Sequence, residues 1–154
     1  MKYYTIITLV VLAIIACNNS EQKEGNAPNT SNVPKTHEDS LLKDVMHGHD
    51  ITMAKTSKIS AAKQKIQLAI DSVAKLSVKG KESAKSYLQQ LDSLSEKLKY
   101  ADYSMTRWMD EFNYDSAANG TNRATYLESE KKKISAVEDA MVSALRQADS
   151  LFKK

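Results

Sequence analysis

The sequence has few of the residues that cross-link or interrupt a chain. Its 154 residues include one cysteine, two prolines and four glycines, and aromatic residues make up 6%. One cysteine excludes an intramolecular disulfide, and so few glycines and prolines argue against a β protein with many turns. Alanine, lysine, serine, leucine and glutamate are abundant, which favours long helices. The length suits a single domain.

The N-terminus has the pattern of a lipoprotein signal peptide over residues 1–16. Lys2 provides the positive start, and an apolar run extends from Thr5 to Ala16, shorter than the roughly 20 residues that a membrane-spanning helix needs. The run ends in Ile-Ile-Ala before Cys17, which resembles a bacterial lipobox. Cleavage and lipid modification would explain the lone Cys17; an ordinary secretory signal with a stray cysteine is the alternative. We therefore predict a lipid anchor in the bacterial cell envelope and favour the outer membrane. The pattern does not distinguish the periplasmic face of that membrane from its outer surface.

The next segment, residues 17–37, is predicted to be a flexible tether between lipid and domain. It is rich in Asn and Ser and contains Pro28, Pro34 and one strong aliphatic residue, Val33. Such a composition cannot bury enough apolar surface to offset the entropy of ordering. Loss of Lys2 lowers the basic residues from 22 to 21 against 19 acidic ones. A net charge of +2 spread along the chain does not indicate a nucleic-acid interface.

Residues 38–154 form the predicted helical-bundle domain, in which apolar residues recur at the helical spacings of three and four. The first helix is expected to start at a Thr36 cap, with Asp39 in its first turn, and to end at a left-handed Gly80. Gly48 is expected to kink it or to delay its start. Its predicted core stripe is Leu42, Met46, His49, Met53, Ile59, Ala62, Ile66, Ala69/Ile70, Val73 and Leu76.

Two more helices are predicted after it. The second ends at a turn over residues 115–120, and the third starts near Thr121 or near Thr125, which forms a capping-box pattern with Glu128. Because the turns are short, we predict an all-α fold, an antiparallel up-down-up three-helix bundle that resembles a coiled coil. A two-helix hairpin that completes its core as a homo-oligomer is the alternative. The predicted stripes are Ala84, Leu88, Leu91, Leu94, Leu98, Ala101, Met105, Trp108, Met109 and Phe112, then Tyr126, Leu127, Ile134, Val137, Met141, Leu145, Ala148, Leu151 and Phe152.

Counting outward from the two predicted turns gives the residues that face each other on neighbouring helices. This pairing places a cluster of methionine and aromatic residues at the end of the bundle remote from Gly80, with His49 opposite Phe112. The favoured interpretation is packing, because methionine fills irregular gaps beside aromatic rings. The alternative is a soft-metal site, since thioethers and imidazole select Cu(I) and an aromatic face can cover the ion. No other cofactor is expected. The candidate ligands are Met46, His49, Met53, Met105, Trp108 and Met109.

Other functional motifs are sparse. Asp-Ser-aliphatic triplets resemble the O-glycosylation acceptor pattern of Bacteroidota, with Ser40 and Ser116 as the candidates near element ends. The sequence shows no glycine-rich phosphate loop, catalytic triad order or zinc-protease motif, so we do not expect an enzyme.

The motifs Val45-Met46-x-x-His49-Asp50-x-x-Met53 and Met105-x-x-Trp108-Met109-x-x-Phe112, with the lipobox, resemble an uncharacterised family of small Bacteroidota lipoproteins. That family often has the label "viral A-type inclusion protein". The resemblance implies a similar helical topology and an envelope location, without an activity. We therefore expect a membrane-anchored binding or structural module with an unidentified protein partner. A periplasmic Cu(I)-binding protein is the alternative.

Overall fold

The computed structural model describes residues 36–153, and within that range it contains helices and no strand, which confirms the all-α prediction. The predicted signal peptide, Cys17 and nearly all of the predicted tether lie outside the described residues. Among the described helices, none has an apolar stretch of the length that a bilayer crossing demands. The helices are His37–Met53 (α1), Thr56–Ala74 (α2), Val78–Ser83 (α3), Lys85–Glu111 (α4), Tyr114–Asn119 (α5) and Arg123–Phe152 (α6).

The first predicted helix consists of two helices. The Thr36 cap is confirmed, because its Oγ1 accepts a hydrogen bond from the backbone N–H of Asp39 at 3.1 Å. The break lies at Ala54 and Lys55, whereas Gly48 is inside α1. A Cβ at Gly48 would lie 3.1 Å from Cγ2 of Ile134, so the glycine permits close approach of α6. The prediction of a late start at Gly48 is therefore wrong, because the helix is interrupted six residues after it, while the alternative of a kink at Gly48 stays a prediction.

The buried face of α1 is displaced by one residue from the predicted stripe. The predicted core residues of α2, such as Ile59 and Ile66, are buried as expected. In α1 the predicted stripe followed the largest apolar side chains, but the face against α6 follows small and β-branched residues. Thr52 can be buried because its Oγ1 donates to the Gly48 carbonyl at 2.7 Å, which satisfies its hydroxyl within the helix. The buried residues of α1 are Leu41, Val45 and Thr52.

The turn between α2 and α4 differs from the prediction. Helix α2 ends at Ala74, and Gly80 lies inside the short helix α3 without a left-handed conformation. The Ser77 hydroxyl caps α3 by accepting from the Gly80 N–H at 3.3 Å. Gly80 is therefore not the helix terminator that we predicted.

The segment between α4 and α6 also contains more helix than predicted. Residues expected to form a turn include α5, which Asn113 caps by accepting from the Ser116 N–H at 2.7 Å. Helix α6 begins at Arg123, after an Asn122 N-cap that makes no side-chain hydrogen bond. Thr125 lies inside the helix, so the predicted capping box is wrong.

The core lies where α6 packs against α1 and α4, with α2 packed mainly against α4. The buried residues of α4 and α6 recur at spacings of three and four, as expected for helices that pack along a seam. They confirm most of the two predicted stripes, except that Met109 is exposed and that Glu130 and Ala144 join the core. The buried residues are Leu91, Leu94, Leu98, Ala101, Met105 and Trp108 in α4, and Leu127, Glu130, Ile134, Val137, Met141, Ala144 and Ala148 in α6.

Candidate functional site

A row of aromatic rings joins α1, α4 and α6 at the end of the domain where α4 finishes. The ring centroid of Trp108 lies 5.7 Å from that of His49 and 5.0 Å from that of Phe112. Phe112 lies 6.1 Å from Tyr126, whose hydroxyl accepts the backbone N–H of Asn113 at 2.7 Å. These distances are typical of stabilising aromatic contacts. His49 thus contacts Trp108, one helical turn from the Phe112 neighbour that we predicted.

His49 is held by a neighbouring carboxylate. Its Nδ1 lies 2.9 Å from Oδ1 of Asp50, and the side chain is partly exposed. A carboxylate on Nδ1 favours the tautomer whose Nε2 carries the free lone pair, as in many metal-binding histidines. Within the described part of the chain, no hydrogen bond involves Nε2. This arrangement suits a ligand or a metal ion that approaches Nε2 from solvent.

The methionines of the predicted cluster fall into two groups. Met105 is 1% exposed and belongs to the core, three residues before the buried Trp108 on α4. Met46 and Met53 are each 37% exposed, and Met109 is 39% exposed. Met46 and Met53 lie about one turn before and after His49 on α1, and Met109 follows Trp108 on α4. We call Met46, Met53 and Met109 the methionine rim.

The metal-binding potential of this site depends on sulfur donors as well as on His49. Across residues 36–153, no group of three or more His, Cys, Asp and Glu side chains has the geometry to hold a metal ion. The methionine rim supplies thioether sulfur, a ligand type that favours Cu(I).

The two candidate glycosylation serines lie in different helices. Ser40 is in the first turn of α1 and is partly buried, next to Asp39, whose carboxylate accepts from Arg123 at 2.8 Å. Ser116 is partly buried in α5, where its backbone N–H bonds to the Asn113 cap. Ser40 therefore lies near the start of α1, and Ser116, which we predicted to lie in a turn, is near the start of α5.

A buried carboxylate that the predicted stripes did not include lies one helical turn after Tyr126 on α6. Glu130 is buried at a seam position of α6, and its Oε1 accepts from Lys133 at 2.7 Å. That hydrogen bond raises the pKa of the Lys133 ammonium. Oε2 of Glu130 and Nε1 of Trp108 have no hydrogen-bond partner among the described residues. The sequence does contain a signal for its burial, because Glu130 lies three residues after Leu127 and four before Ile134, at the spacing of the buried face.

A cavity of about 270 Å³ lies between α4 and α6, and Trp108 is one of its lining residues. Tyr100 and Tyr103 line it together with Arg107 and Lys133. The cavity is electrostatically balanced, because Arg107 pairs with Glu111 at 2.7 Å, which raises the pKa of the guanidinium, and Lys133 pairs with Glu130. It therefore shows no preference for a ligand of one charge.

We found no family model, curated protein or solved structure that matches this chain.

Proposed function

We propose that the chain is a lipid-anchored cell-envelope protein whose helical domain is a binding or structural module rather than an enzyme. The observation that carries this proposal is the methionine rim around His49 and Trp108. Flexible, polarisable methionine side chains adapt to differently shaped partners, and exposed apolar groups beside aromatic rings are typical of protein-binding surfaces. A protein partner that covers the rim is the occupant this chemistry favours.

We further propose that the domain is an antiparallel up-down-up three-helix bundle, with α1 and α2 as its first arm. Cross-helix pairs support this order. Asp39 pairs with Arg123 and Asp44 with Lys131, so position numbers rise together along α1 and α6. Between α4 and α6 the numbers run oppositely, since Phe112 contacts Tyr126 whereas Lys97 donates to Gln147. Parallel α1 and α6 with an opposed α4 is the pattern that this topology requires.

Anchoring would take place at Cys17 after removal of residues 1–16, with residues 17–37 as the tether. The test is metabolic labelling with a radioactive fatty acid in a bacterial host that processes lipoproteins. We expect the label on the native chain and none on Cys17→Ser, with both chains expressed to the same level. Equal labelling of the two chains would exclude Cys17 as the lipid site.

Binding through the rim is tested by site-specific photocrosslinking in intact envelopes. A photoreactive phenylalanine analogue at Met53 should yield a discrete crosslinked product. The same analogue at Lys132, which is exposed elsewhere on the domain, is the control. No product at Met53, or the same products at both positions, would contradict binding through the rim.

A second candidate function is Cu(I) binding, which the free Nε2 of His49 favours. Trp108 lies close enough to cover an ion bound there, and the rim supplies thioethers. Titration with Cu(I) against a competing chelator should quench Trp108 fluorescence at a fixed stoichiometry. His49→Leu should abolish that quenching, whereas His37→Leu, exposed at the start of α1, should retain it. An unchanged fluorescence trace for the native chain would exclude this function.

A further inference from the structure

A local excess of positive charge surrounds α3. Residues 75–85 contain four lysines and one glutamate, a net charge of +3. Residues 55–65 carry four further lysines and no acidic residue, but two of them pair with carboxylates of other helices. A local excess of this kind produces an attractive field for anions that a uniform distribution would not.

Three of these four lysines have no carboxylate partner. Within the described residues, no salt bridge involves Lys75, Lys79 or Lys81, while Lys85 approaches Glu82 at 3.8 Å between exposed side chains. An exposed pair at that distance contributes little. Some lysines of the long helices instead form cross-helix pairs with carboxylates, as Lys63 does with Asp102 at 2.8 Å. The lysines around α3 are thus available to an external anion.

Exposed aliphatic residues alternate with these lysines. Val78 is 88% exposed and Leu76 is 45% exposed. A Cβ at Gly80 would lie 3.1 Å from Cβ of Leu76, so the glycine allows α3 to fold closely against the end of α2. We call Lys75, Leu76, Val78, Lys79 and Lys81 the basic tip.

We propose that the basic tip docks on an anionic phospholipid surface. Lysines at such a surface are attracted to the headgroups, and aliphatic side chains between them can enter the boundary with the acyl chains. A second copy of this chain is a poor occupant, because two tips of the same sign repel each other. Nucleic acid would use the lysines but would leave Val78 and Leu76 in water. A lipid surface uses both kinds of residue.

The docking itself depends on nothing outside the described residues. The place of the tip relative to the anchor rests on the proposed function: in an up-down-up bundle, the tip lies at the end opposite the start of α1, where the tether joins. A chain held in one lipid surface could then contact a second one.

The test uses the full chain carrying Cys17→Ser, held on a sensor surface through an N-terminal tag. Because this variant cannot be lipidated, its result is independent of whether the anchor proposal is right. Vesicles of phosphatidylcholine alone are compared with vesicles that contain one third phosphatidylglycerol. We expect binding of the anionic vesicles in excess of the neutral ones.

Two sets of variants assign that binding to residues. Removing Lys75, Lys79 and Lys81 together as Lys→Gln should weaken it roughly 100-fold, at about fivefold for each lysine. The matched control, Lys58→Gln with Lys132→Gln and Lys153→Gln, removes the same charge from other exposed positions and should change it severalfold less. Val78→Ser should weaken binding, whereas Leu68→Ser, at a residue 66% exposed on α2, should not.

Four results would overturn the proposal. The first is binding no stronger to anionic than to neutral vesicles. The second is equal loss in the two lysine triples, which would indicate a general charge effect. The third is unchanged vesicle binding by Val78→Ser, which would show that this aliphatic side chain makes no contact with the lipid. The fourth is displacement of the vesicles by a DNA duplex that binds the native chain and Val78→Ser with the same affinity. That result would identify the basic tip as a nucleic-acid-binding surface.

Discussion

The two ends of the helical domain follow the same three-and-four spacing but differ in how completely they are closed. At the end that contains α1, the last turns of α4 and the first turns of α6, buried residues such as Val45, Met105 and Leu127 are almost inaccessible. Around the basic tip, α3 contributes no buried residue and Val78 is exposed. The comparison shows that a regular apolar seam closes a core only where another long helix covers it.

Truncation of a leucine should separate the two environments most clearly. Leu98→Ala should lower the free energy of unfolding by roughly 2–5 kcal/mol, because Leu98 is fully buried and leaves a cavity. Leu68→Ala should stay within about 0.5 kcal/mol, since its side chain on α2 is 66% exposed and already contacts water. Urea unfolding followed by circular dichroism measures both. Equal losses of unfolding free energy in the two variants would contradict the difference between the buried and the exposed leucine.

The buried carboxylate should respond asymmetrically to the loss of each partner. Lys133→Ala leaves the Glu130 carboxylate without the hydrogen bond to Oε1, and we expect a loss of about 1–3 kcal/mol in unfolding free energy. Glu130→Met removes the buried charge and should be neutral or stabilising. Lys132→Ala is the control, because its side chain is exposed and has no carboxylate partner within the described residues. A strongly destabilised Glu130→Met would show that the carboxylate is required for packing.

Substitution of the two helical glycines by alanine should affect the free energy of unfolding differently. Gly48→Ala should destabilise by about 1 kcal/mol, because the new Cβ meets Cγ2 of Ile134, a β-branched side chain on a well-packed helix. Gly80→Ala should be neutral or stabilising by up to about 1 kcal/mol, since alanine favours helix and the short α3 can shift away from Leu76. Thermal unfolding of both variants tests this. A stabilising Gly48→Ala would show that α1 and α6 are less tightly packed than their geometry indicates.

Acid should weaken the contact between α1 and α6, because it protonates two carboxylates that form ion pairs between these helices. The hydrogen bond from Arg123 lowers the pKa of Asp39, and that from Lys131 lowers the pKa of Asp44. Because the folded-state pKa is lowered, the stabilisation is present above the unfolded value of about 3.9 and is lost as pH falls through the folded value.

Melting temperatures from pH 6 down to pH 2 measure this contribution. The double variant Asp39→Asn with Asp44→Asn should melt lower than the native chain at pH 6, and the gap should close at pH 2. Asp71→Asn, whose carboxylate accepts from Gln67 of its own helix, is the control and should show a smaller gap. A gap that is independent of pH would contradict the role of these two pairs.

The candidate site was partly predictable from the sequence. The proximity of His49 to the Trp108 region follows from short turns between helices, and the structure places the two rings in contact. The grouping of Met105 with the exposed methionines does not hold, because Met105 is a core residue. Spacing alone could not distinguish them, since an apolar side chain beside the seam and one in the seam differ by a single position of the helix.

The helical class and the seams of α4 and α6 follow from the amino-acid sequence alone, because large aliphatic residues at helical spacing have few other ways to leave water. The face that α1 buries depends instead on the packing of α6 against it. Gly48 and Thr52 occupy that face because Ile134 needs the space and because the Thr52 hydroxyl is satisfied by its own helix. That Val78 stays exposed among unpaired lysines is likewise a property of the tertiary structure. Burial depends on what packs from the other side, and a single helix does not contain that information.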